Sequence, residues 1–193
     1  MCLIYTCMIG FQGDETLVSH LVSHLSCRAL AVGQHFKPQE ISNALWALAK
    51  LESAPDPALL DTLARRASYI VDDFKPQEIG NTMWAIAQAA KLGVAPPHEL
   101  IAALSSSAGK TSEDFSAQNV ANVLWAFATL EIQPPEHLVA ALLLRAEHVV
   151  SDFNSQNIAN CIWAFSALGI QPREGLLVAL QLRARALGNL LIL

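Results

Sequence analysis

The sequence predicts an all-α fold, an α-solenoid of stacked two-helix repeats of about 38 residues. Three observations carry that prediction. The four tryptophans, Trp46, Trp84, Trp125 and Trp163, are spaced by 38, 41 and 38 residues. Phe36, Phe74, Phe115 and Phe153 repeat the same intervals. Between these markers apolar residues recur at i, i+4 and i+7, as in Ile41, Leu45 and Leu48, which is the period of a helix buried along one stripe. A helix pair this short cannot bury its own apolar face, whereas stacked copies bury it against one another.

The elements follow in order. The opening "MCLIYTCMIG" lacks both the basic start and the small-residue cleavage site of a signal peptide, and the Arg- and Ser-rich pattern of an organellar transit peptide. Residues 1–14 are therefore read as poorly ordered or as a misassigned start. The stretch "ETLVSHLVSHLSCRALAVG" aligns with the second helix of a unit, so residues 15–35 form a half repeat. Full units begin at 36, 74, 115 and 153, and the solenoid covers 15–187. Residues 188–193 are an apolar end, the sign of a truncated array that needs further units or caps.

Within a unit the first helix is typified by "FKPQEISNALWALAKL". Pro38 and Pro76 suit the first helical position, where a missing N–H costs nothing. Ser116 and Asn154 are N-caps in the later units. Phe36 with Ile41, Phe74 with Ile79, Phe115 with Val120 and Phe153 with Ile158 have the spacing of a hydrophobic staple. Ala47, Ala85, Ala126 and Ala164 allow close helix approach. The three extra residues of the second unit fall in "AQAAKLGVAPP", because tryptophan to proline is nine residues in three units and twelve to Pro96. The second helix follows a proline, as in "PPEHLVAALLLRAEHVVSD".

Composition narrows the function. Hydrophobic residues make up 53% and charged residues 15%, but no run of 18 apolar residues exists, so no membrane span is expected. A net charge of -5 gives no global field for a polyanion, and any nucleic-acid binding must use a local stripe. Cys2, Cys7, Cys27 and Cys161 show no metal spacing and are expected to be reduced thiols. Gly109-Lys110-Thr111 looks like the tail of a phosphate loop, but Leu104 stands where its first glycine should be. His20 and His24 lack the intervening glutamate of a zinc protease. The expectation is a protein with no enzymatic activity, no metal, no cofactor and no small-molecule substrate.

Stacking turns recurring positions into columns. Gln39, Gln77, Gln118 and Gln156 form one; Asn43, Asn81, Asn122 and Asn160 form a second, on the same helix face one turn before the tryptophans. Their amides can read base edges, or they can ladder between stacked units. A third column varies: Glu40, Glu78, Asn119 and Asn157, beside Ala44, Thr82, Val123 and Cys161. Variation suits a reader of one base per repeat, but the same residues can complete a capping box. A fourth column, Arg28, Arg66, Ser107, Arg145 and Arg183, could track phosphates or serve the C-terminal end of the second helix. The tryptophans, next to the apolar stripe, are expected in the core.

The words "PQEISNALWALAKL", "PQEIGNTMWAIAQ", "AQNVANVLWAFATL" and "SQNIANCIWAFSAL" resemble the octotricopeptide repeat family and the related leucine-rich repeat region of FAST kinase-domain proteins. That resemblance covers nearly the whole chain. It implies an RNA-binding protein of the mitochondrion or chloroplast, acting in transcript processing, stability or translation, with the first helices facing RNA. No nuclease-like acidic cluster accompanies the repeats. The expected ligand is therefore single-stranded RNA; the alternative is a scaffold for protein partners.

Overall fold

The computed structural model describes residues 15–188. Residues 1–14 and 189–193, on which expectations were placed, lie outside the described residues. The described chain is all-helical, with nine α-helices and no strand among its residues. Helix α1 (Glu15–Val32) precedes four helix pairs. These are α2 (Pro38–Lys50) with α3 (Pro57–Tyr69), α4 (Pro76–Lys91) with α5 (His98–Thr111), α6 (Ala117–Leu130) with α7 (Glu136–His148), and α8 (Ser155–Leu168) with α9 (Glu174–Ala186). After α1, α3, α5 and α7 comes one short 3₁₀ turn that delivers the chain to the phenylalanine of the next unit.

The start of each first helix is fixed locally. In the first two units the backbone N–H groups of Lys37 and Lys75 donate to Glu40 and Glu78 at 2.8 Å. A lysine side chain has no acceptor, so the cap runs one way there. In the later units it closes in both directions. Asn119 N–H donates to Ser116 Oγ at 3.2 Å while Ser116 N–H donates to Asn119 Oδ1 at 3.0 Å. Asn157 and Asn154 exchange the equivalent bonds at 2.8 and 3.2 Å. Phe74, Phe115 and Phe153 are buried beside these starts, with Ile79, Val120 and Ile158 buried opposite them. That is the staple arrangement, in which an apolar pair sets the angle at which the chain joins the helix.

Two layers result. Ile41, Leu45 and Leu48 and their counterparts face the second helices, and one continuous apolar core runs from Ala29 to Ala184. Ala47, Ala85, Ala126 and Ala164 are buried between first helices, which pack on one another far more closely than the second helices do. A two-layer array with one layer more tightly spaced must curve towards that layer. The even-numbered helices therefore form the inner side. The three-residue insertion becomes nearly one extra turn at the end of α4, which has 16 residues against 13 in α2.

The ends of the first helices vary in quality. Gly93 and Gly169 take the left-handed conformation after α4 and α8, with φ of 84° and 66°. Glu52 and Glu131 occupy the same place with φ of 51° and 56°. A side chain there costs about 1 kcal/mol that glycine avoids. Glu131→Gly is therefore expected to raise the melting temperature by about 2–4 °C, measured by circular dichroism.

Candidate nucleic-acid interface

Around each first helix the apolar stripe and the amide stripe lie on opposite sides. From Gln39, the residues Asn43, Trp46 and Lys50 all fall within one narrow sector, half a turn from Ile41, Leu45 and Leu48. Because the latter face the second layer, the former face outward from the inner side of the array. The same stripe in α4 is Gln77, Asn81, Trp84, Gln88 and Lys91. Gln118, Asn122, Trp125 and Thr129 continue it in α6, and Gln156, Asn160 and Trp163 in α8.

The glutamine column is exposed in all four units, and the asparagines are half-buried except Asn122, which is nearly covered. No hydrogen bond among the described residues engages any of these eight amides. The expected alternative, a ladder tying neighbouring units, is thus not formed: the amides sit over the packing seam, where small side chains bring the backbones together without them. The donors and acceptors of the four glutamines, and in part those of Asn43, Asn81 and Asn160, remain available to an outside partner.

The tryptophans correct the expectation of core burial. Trp46, Trp84 and Trp125 are only half-buried, Trp84 and Trp125 packing against the core, and Trp163 is 47% exposed. Lys50 Nζ lies 5.6 Å from the Trp46 ring centre and 5.2 Å from that of Trp84. Lys91 Nζ, carried there by the extra turn of α4, lies 5.8 Å from the Trp125 ring centre. Trp125 and Trp163 touch directly, with centres 6.4 Å apart and planes tilted by 40°. The inner face is therefore a rail of four indoles with cations set among them. Its stripe contains two lysines and no carboxylate, although the chain as a whole is acidic.

The varying third column is not an outward reader. Glu40 and Glu78 cap their own helices, and Asn119 and Asn157 are only 6% exposed, their side-chain oxygens committed to the caps. Thr82, Val123 and Cys161 beside them are buried, so their variation is a packing matter. Burial pushes the Cys161 thiol up from 9.0 to about 12. A raised thiol pKa in the folded state contributes stability below pH 9.0 and loses it as pH rises towards about 12.

The arginine column is likewise structural in three units. Arg66, Arg145 and Arg183 donate through Nε to the carbonyls of Phe36, Phe115 and Phe153, at 2.9, 2.6 and 2.8 Å. Each reaches back across its own unit to a backbone group just outside the first helix. In the second unit Ser107 Oγ donates instead to Val71 O at 3.3 Å. Arg28 is exposed. The spacing of 30 residues from phenylalanine to arginine was readable in the sequence, but its partner is a backbone carbonyl, which no side-chain pattern reveals. The column neither lies on the amide face nor serves the ends of its own helices.

Arg145→Ala is expected to cost about 1.5–3 kcal/mol in urea unfolding, because a charged donor is withdrawn from a half-buried carbonyl. Asn119→Ala is expected to cost about 1 kcal/mol through loss of its cap. Unchanged unfolding midpoints in both variants would contradict these assignments.

The sequence model of the family described as RNA-editing substrate-binding complex 6 protein matches residues 88–189, just over half of the chain. A second family, described only as a protein of unknown function, matches residues 34–45 and 59–83. A search of curated proteins finds no match to the chain.

Proposed function

Since the chain belongs to the RNA-editing substrate-binding complex 6 protein family, we propose that it is a non-catalytic helical-repeat protein that holds single-stranded RNA along the inner face of its solenoid. The observation that carries this reading is the exposed row of Gln39, Gln77, Gln118 and Gln156, unpaired within the described chain and lying on a stripe without carboxylates. Amide groups offer both donor and acceptor to splayed bases. Four equivalent positions in successive layers suit a linear ligand better than a compact one.

The repeat words still resemble octotricopeptide units, and that resemblance supports the same surface. A role in transcript processing, of which RNA editing is one form, follows the family description. The editing connection favours the mitochondrion over the chloroplast as the compartment. No helix among the described residues is long and apolar enough to cross a membrane. Contacts to protein partners in such a complex fall to the outer layer, where Tyr69, Leu144 and Leu182 are exposed.

The quadruple variant with all four glutamines changed to alanine is expected to fold as the parent, because these side chains are exposed. Its RNA affinity, measured by filter binding, is expected to fall by about 0.5–1.5 kcal/mol for each amide that meets a base. A variant that binds every RNA as tightly as the parent would sink the amide reading. Crosslinking in cells followed by sequencing would identify the transcripts held.

A further inference from the structure

The amide rows leave unexplained why each unit places a large aromatic ring beside them, partly exposed at a cost in unburied apolar area. The buried stripe is Ile41, Leu45 and Leu48 and their equivalents; the indoles lie beside it, Trp84 and Trp125 packed against the core and Trp163 47% exposed. The surrounding charge is not random. Lys50 sits between two rings and Lys91 over a third, so the ring faces are held by cations that are themselves mobile on long stems. Trp163 has no lysine over it and is the most exposed of the four.

We infer that Trp46, Trp84, Trp125 and Trp163, with Lys50 and Lys91, form a base-stacking platform for single-stranded RNA, deepening the RNA-binding reading on which it rests. The indoles take unpaired bases on their π-faces, a contact that every base can make. The two ammonium groups leave the rings they cover and turn to the phosphates of the same strand. Stacking supplies sequence-tolerant grip, and the neighbouring amides supply discrimination. Charge complementarity favours a nucleic acid over an apolar or proline-rich peptide, because the stripe offers cations and no carboxylates.

Intrinsic fluorescence tests this directly, since all four tryptophans of the chain lie on the rail. Titration of the full chain with an oligouridylate is expected to quench it. Trp163→Ala is expected to lower affinity about tenfold or more while the chain stays folded, the melting temperature falling by only about 2–4 °C through the lost contact with Trp125, and Trp163→Tyr to recover most of the loss. Lys50→Gln with Lys91→Gln is expected to flatten the slope of log affinity against log salt by about 1.4.

If RNA binds without quenching and Trp163→Ala binds as the parent does, RNA lies elsewhere: the platform is wrong and RNA binding stands. If the intact chain binds no RNA, both readings fall. Salt-independent quenching by a proline-rich peptide, with none by RNA, would assign the rail to a protein partner and overturn the proposal.

Discussion

The close approach of the first helices is the constraint on which everything else depends. It is made possible by what is missing from their flanks. Ala47, Ala85, Ala126 and Ala164 bring almost no side chain to the seam. Gly80 goes further. A Cβ added there would stand 3.1 Å from Asn119 Nδ2 and 3.3 Å from Asn119 Cα of the next first helix. That asparagine is fixed by its cap and cannot withdraw freely. The cap of one unit is therefore seated on the bare backbone of the unit before it, and helix initiation and unit stacking become one packing problem.

Tight spacing in one layer also explains the optical order of the inner face. Side chains at equivalent positions repeat at the helix–helix distance, on the order of 8–10 Å. An indole spans most of that gap, so neighbouring rings either touch, as Trp125 and Trp163 do, or leave room for one lysine stem. Had the second helices formed the close layer, the same tryptophans would splay apart and no rail would exist. The curvature, set by alanine, thus determines what tryptophan can do.

The helical repeat, the capping residues and the staple pairs were legible because each rests on local chemistry: a proline at N1, a serine at N-cap, a phenylalanine five residues before a valine or isoleucine. The amide stripe was legible as a face but not as a surface. Helical spacing says that Gln39, Asn43 and Trp46 share a side; it does not say whether that side meets a neighbour or solvent. The tryptophans were misplaced for that reason, since an aromatic residue next to alanine reads as core in one helix and becomes half-exposed once small flanks draw the helices together. For Asn119 and Asn157 two readings stayed open in the sequence, and the structure shows the capping one. Their variation from Glu40 and Glu78 tracks the change of N-cap from lysine to serine and asparagine, a covariation inside the unit rather than a code along it.

An acidic chain proposed to hold RNA poses an electrostatic problem, which the placement of charge eases. Two carboxylates of the first helices, Glu40 and Glu78, are each bonded to a backbone N–H at the positive end of their own helix, where the dipole offsets part of their charge. Other acids, such as Asp72, Glu113 and Asp152, stand on the turns that lead into the next unit, away from the stripe. At physiological salt the screening length is about 8 Å, so charges beyond the rim of the inner face contribute little to a strand lying on it. The two lysines therefore act on the ligand at short range. With only two phosphates neutralised, the electrostatic contribution is modest, and most of the grip under the proposed reading must come from stacking. A weak module of this kind gains strength by being held beside other RNA-binding surfaces, where the second contact is intramolecular and affinities combine.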